Sequence, residues 1–76
     1  MRRLVEFLIK TRKERGVFTI QECAYETHTC EQSVRNFEYG KAINSKILHY
    51  YICKCMQCDD VVADSIIKMF KEDYNG

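Results

Sequence analysis

The sequence predicts an all-α protein, a compact five-helix bundle. Three observations lead there. Apolar residues recur at helical rather than strand spacing along most of the chain. There is no proline, and the chain is punctuated instead by Gly16 and Gly40 and by the capping residues Thr19, Asn44-Ser45 and Asp59-Asp60. A length of 76 residues, 46% of them hydrophobic, suits one small core, near the lower limit for a chain that folds without staples. Residues 1–76 are therefore expected to form a single domain.

The first helix is expected over Arg2–Arg15. Leu4, Val5, Leu8 and Ile9 share one side of it, and Arg3, Lys10, Lys13 and Glu14 the other. Gly16 ends it, as glycine commonly does at a helix C-terminus. The second opens at Thr19, and Glu22 three residues on makes a capping box. It should run to about Glu26 with Cys23 and Ala24 inward. Thr27-His28-Thr29 has no helical period and reads as a tight turn. The third spans Glu31–Tyr39, with Val34 and Phe37 on its inner stripe and Glu31, Gln32, Arg35 and Asn36 on its outer one. Gly40 stops it. The fourth follows Asn44-Ser45, either of which can cap it, and turns Ile47, Leu48, Tyr51, Ile52 and Cys55 inward. The fifth follows Asp59-Asp60, whose carboxylates suit the positive end of a helix dipole. Its apolar stripe is read as Val62, Ile66, Met69 and Phe70. These last two helices occupy about 45–75.

Net charge is only +1, but it is unevenly distributed. Residues 1–50 carry nine Lys/Arg against six Asp/Glu, and residues 51–76 carry three against five. A basic front permits a polyanionic partner. No apolar run approaches the roughly 20 residues that cross a bilayer, so no membrane partner is expected. The start, MRRLVEFLIKTRKERG, is basic and apolar like a signal peptide, but Glu6 interrupts it and no small-residue cleavage site follows. A cytoplasmic location is expected. The cysteine count, five, is odd and the spacing is not that of a disulfide scaffold. Free thiols acting as small buried hydrophobes are the default. Cys53-x-Cys55-x-x-Cys58 with His49 also invites a zinc reading. His49 and Cys53 share a face at i, i+4, but Cys53 and Cys55 lie on different sides of a continuous helix, so a tetrahedral site needs the helix unwound near Lys54. Core packing plus an exposed thiol is the preferred reading, and no metal or other cofactor is expected. No Ser/His/Asp or paired-carboxylate arrangement stands out, so an enzyme is not expected.

The segment FTIQECAYETHTCEQSVRNFEYGK, residues 18–41, resembles the DNA-binding domain of the Cro/C1-type (XRE family) phage repressors. That family opens its second helix with a capping Thr or Ser, continues Gln-Glu-Glu-Leu-Ala, turns, and enters a recognition helix with a central Ile or Val that closes on Glu-x-Gly. Thr19, Glu22, Ala24, Val34, Glu38 and Gly40 match in one ungapped register. Departures are Ile20 in place of a glutamine, Cys23 for Leu, His28 for the turn glycine, no proline after Gly40, and one extra residue within Gly16-Val17-Phe18.

The resemblance implies a lambda-repressor-like fold with a helix-turn-helix at about 19–40. It implies a small sequence-specific transcriptional regulator of the repressor or Cro kind, from a phage or mobile element. Its partner would be double-stranded DNA, read as a homodimer on a palindromic operator. The chain leaves no room for a small-molecule effector domain. Glu31, Gln32, Ser33, Arg35 and Asn36 are the candidate base contacts: Gln and Asn bond adenine bidentately, and Glu accepts from the cytosine amino group. Thr19, Gln21, Thr29, Lys41 and Lys46 are the candidate phosphate contacts. Glu38 is implied to pair with a basic residue of the first helix, Arg12 by the continuing Leu4–Leu8 spacing, or Lys13 if the loop is read differently. The rival is a protein-interaction module or anti-repressor of helix-turn-helix descent that binds another regulator. Met69, Phe70 and Tyr74 either anchor the dimer or close the monomer core. Cys30 stands where a hydroxyl cap is usual, as a poor cap or as a redox-sensitive thiol.

Overall fold

Local capping chemistry opens three of the five helices among the described residues. In the computed structural model, which describes the backbone of residues 2–75 and the side chains of residues 3–69, the order is α1 (Arg2–Arg15), α2 (Ile20–Glu26), α3 (Glu31–Glu38), α4 (Ser45–Met56) and α5 (Asp60–Asn75). The Thr19 hydroxyl accepts the Glu22 N–H at 3.0 Å and opens α2. Asn44 Oδ1 accepts from the N–H groups of Lys46 and Ile47 at 2.9 and 3.3 Å and opens α4. Asp59 Oδ1 accepts the Val62 N–H at 2.9 Å and opens α5. Among the described residues there is no strand, and no helix is long and apolar enough to cross a membrane.

Both short helices end in the same paired-bond cap. After α2, Thr29 N–H reaches Ala24 O at 2.9 Å and His28 N–H reaches Tyr25 O at 3.3 Å. After α3, Lys41 N–H reaches Asn36 O at 2.9 Å and Gly40 N–H reaches Phe37 O at 3.2 Å. This Schellman pattern needs a left-handed residue at its corner. Gly40 supplies it at φ 76°, whereas His28 holds φ 57° with a side chain. A non-glycine residue there is strained by about 1 kcal/mol. His28→Gly should therefore raise the unfolding free energy by about 0.5–1 kcal/mol and the melting temperature by several degrees. Thermal melts monitored by circular dichroism measure this directly.

The core gathers around α4, which packs against α1, α2 and α5, while α2 also packs on α3. Leu8, Cys23, Val34, Phe37, Ile47, Leu48, Tyr51, Ile52 and Ala63 are closed to solvent or nearly so. Burying a side chain of Leu or Phe size contributes about 1.5–3 kcal/mol. Phe18, in the link before α2, is buried as well. Its ring meets those of Tyr50 and Tyr51 edge-on at 4.9 and 4.8 Å.

The α5 stripe differs from the expected one. Ala63 and Ile67 face the core, while Val62 is 45% and Met69 66% exposed and Ile66 is half-buried. At about 100° per residue, Ala63–Ile67 and Val62–Ile66–Met69 are neighbouring stripes of one helix. The first stripe is the buried one, and Ile66 of the second packs at the edge of the core. Phe70 and Tyr74 lie outside the described side chains.

Candidate nucleic-acid interface

The α2–turn–α3 unit is held rigidly from beneath. Val34 and Phe37 are buried on the inner side of α3, and Cys23 and Ala24 on that of α2. The Phe37 ring packs 4.9 Å from that of Tyr51. In the turn, buried Thr27 donates its hydroxyl to Cys23 O at 2.7 Å and shares a hydrogen bond with the Thr29 hydroxyl at 2.8 Å. Ile20 is half-buried against the core.

A polar tie fixes α3 to α1 and α4. Arg12 Nε donates to Glu38 Oε2 at 2.7 Å and Arg12 Nη2 to Oε1 at 3.2 Å, a bidentate fork. The Tyr51 hydroxyl donates to the same Oε2 at 2.6 Å. The side chains of Arg12 and Glu38 are only 13% and 9% exposed. Burial works against the guanidinium charge, but the hydrogen bond and charge of Glu38 outweigh it and the Arg12 pKa stands above its ordinary value. Burial first, then Glu38, pushes the Tyr51 phenol far above its usual range. Helical spacing alone assigns Tyr51 to the apolar face of α4. The signal for its second role was its chemical type, since a buried tyrosine hydroxyl needs a partner.

The outer face of α3 carries side chains paired along the helix. Arg35 Nη2 donates to Glu31 Oε1 at 3.5 Å, and Gln32 Nε2 to Asn36 Oδ1 at 3.0 Å. Such exposed i, i+4 pairs hold by about 0.2–0.5 kcal/mol, so all four can be redirected to a ligand at little cost. Ser33 is half-buried, its hydroxyl 3.3 Å from Cys30 Sγ. Of the candidate phosphate contacts, Gln21, Lys41 and Lys46 are exposed. The Thr19 hydroxyl is already engaged, accepting the Glu22 N–H and donating to the Glu22 carboxylate at 3.4 Å. Thr29 is half-buried and bonded to Thr27.

The cysteines divide by environment. Cys30 is exposed, caps α3 without a side-chain hydrogen bond to the backbone, and has its pKa lowered chiefly by the Ser33 hydroxyl. Cys55 is buried and donates to Leu8 O at 3.4 Å, and Cys58 donates to Ile52 O at 3.7 Å. Helix α4 runs unbroken past Lys54, so the Cys53–Cys55–Cys58–His49 set does not converge. Burial, seconded by the Glu38 charge, pushes the Cys23 thiol up to about 12. Burial raises Cys55 as well, against opposing charges on Arg12 and Arg15.

Raised folded pKa values make the thiol contribution whole below the unfolded value and progressively lost above it. Unfolding should therefore become easier from about pH 9, the ordinary thiol value, upward toward pH 12. For Cys23 the slope approaches about 1.4 kcal/mol per pH unit within that window. Urea unfolding midpoints at pH 8, 9 and 10 measure it, and Cys23→Ala should remove one proton from the slope.

Compared with protein-family models, curated proteins and solved structures, the chain matches none.

Proposed function

We propose that the protein is a small sequence-specific DNA-binding transcriptional regulator of the Cro/C1 type, reading the major groove with α3 and acting as a homodimer. One observation carries this reading. Helix α3 is clamped beneath by Val34 and Phe37 and laterally by Arg12, Glu38 and Tyr51, yet leaves Glu31, Gln32, Arg35 and Asn36 on its free side. A reading helix needs that combination, because base contacts discriminate only if the donors and acceptors are presented in a fixed register. Gln21, Lys41 and Lys46 are placed before and after α3 in the chain and suit the backbone contacts that set the register. The exposed stripe of Val62 and Met69 on α5 supplies an apolar surface for a second copy.

A second reading draws on a different observation. Tyr25, Tyr39 and Ile43 are 80%, 69% and 53% exposed and lie within or beside the α2–α3 unit. Exposed aromatic and aliphatic groups favour a protein partner.

Selection from a randomised duplex library, followed by anisotropy titration at low and moderate salt, separates the two. The DNA reading expects enrichment of a palindromic site and binding that weakens steeply with salt. Absence of binding even at low salt would sink it and leave the protein-partner reading. Lys41→Ala should weaken binding to every sequence and reduce the salt slope by about 1.

A further inference from the structure

Four side chains of metal-ligand type meet between α4 and α5. His49 and Cys53 are one turn apart on α4, and Asp60 and Asp64 one turn apart on α5, so each helix presents an i, i+4 pair on one face. The two pairs face each other. His49 Nδ1 lies 3.8 Å from Cys53 Sγ, and His49 Nε2 lies 3.6 Å from both Asp60 Oδ1 and Asp64 Oδ1. Cys53 Sγ is 3.9 Å from Asp60 Oδ1. One donor atom each from His49, Cys53 and Asp60 fit within 4.8 Å of one another.

We propose that His49, Cys53 and Asp60 ligate a divalent transition-metal ion of the zinc class, with Asp64 completing the coordination, and that the ion clamps the start of α5 onto α4. A thiolate, an imidazole and carboxylates form a borderline-soft donor set, which suits zinc and its neighbours rather than magnesium or calcium. Metal–ligand bonds of about 2.0–2.3 Å in a tetrahedron place the ligand atoms about 3.3–3.8 Å apart. The 3.8 Å separation from Cys53 runs to His49 Nδ1 and the 3.6 Å separations from the carboxylates run to Nε2, so a single ligating nitrogen keeps only part of the set at these distances, the three ligand atoms lying within 4.8 Å of one another. Among His49, Cys53 and Asp60 the widest must close by about 1 Å to reach those tetrahedral edges; Asp64 stands outside that group and must turn in to join it, and both carboxylates are free to move, with Asp60 86% and Asp64 70% exposed. His49 and Asp64 also line an open groove of about 630 Å³, which gives an ion a way in. The site is independent of the DNA reading. It differs from the three-cysteine set suggested by spacing, because Cys55 and Cys58 are bonded to backbone carbonyls elsewhere.

Titration of the reduced, metal-stripped chain with Co(II), then displacement by Zn(II), tests this. The expected result is one ion per chain, with tetrahedral visible bands and a thiolate-to-cobalt absorption that Cys53→Ser abolishes. Asp60→Asn and His49→Gln should each weaken binding roughly tenfold or more, and Cys58→Ser should leave it unchanged. Zinc should raise the melting temperature of the wild type more than that of Asp60→Asn at the same zinc concentration. Asp60 is exposed, so that variant keeps the fold, which far-ultraviolet circular dichroism verifies. No stoichiometric binding at micromolar protein overturns the proposal. So does binding that survives Asp60→Asn and His49→Gln, or binding lost in Cys58→Ser, which would place the ion on the thiols alone.

Discussion

Glu38→Ala should lower the unfolding free energy by about 3–5 kcal/mol, a large share of the 5–15 kcal/mol typical of a whole domain. The carboxylate accepts both arms of the Arg12 fork and the Tyr51 hydroxyl, and it is almost closed to solvent. Removing it strands a largely buried guanidinium and a fully buried phenol at once. The cost lies in leaving those groups unpaired rather than in the worth of the ion pair itself. The triple variant Arg12→Met, Glu38→Met, Tyr51→Phe should therefore recover most of the loss, because it removes every group that needs a partner. Urea unfolding of the two variants beside the wild type measures both effects. A loss under about 1 kcal/mol in Glu38→Ala would show a solvated surface pair and remove the tie that holds α3.

Gln32→Ala should act in the opposite way, on binding and not on folding. Its side chain is exposed, and its bond to Asn36 is a helix-surface pair of about 0.2–0.5 kcal/mol. The melting temperature should barely change. Affinity for a selected operator should fall by about 1–3 kcal/mol, the worth of a good bidentate base contact, or roughly 5- to 150-fold. Binding to a scrambled duplex should stay as it was. Anisotropy titrations on the two duplexes at one salt concentration test this. Equal losses on both sequences would mark Gln32 as a backbone contact, and the base-reading role would then pass to other residues of α3.

The helix boundaries were legible because their causes are local. Thr19, Asn44 and Asp59 each satisfy N–H groups two or three residues away, and Gly16 and Gly40 adopt the left-handed conformation that ends a helix. The inner stripe of α3 was legible because Val34 and Phe37 are the apolar residues at its centre, between charged and amide neighbours. The α5 stripe was not, because the larger apolar residues Val62, Ile66 and Met69 outweigh Ala63 and Ile67 on the adjacent face. Only the approach of α4 decides between them. The three-cysteine set was already disfavoured in sequence, because Cys53 and Cys55 lie on different sides of one helix, whereas the facing of Asp60 and Asp64 toward His49 was not legible, because it depends on which faces of α4 and α5 oppose one another.

The sequence by itself therefore determined the helices, their caps and the polar side of α3, since each depends on residues within a turn or two. Tertiary structure alone decided the partners of those elements. It brought Tyr51 to Glu38 across 13 positions, and Asp60 and Asp64 to His49. Such contacts come from helix faces meeting in space, and the faces that meet are chosen by the packing of the whole core, which no local window of sequence contains.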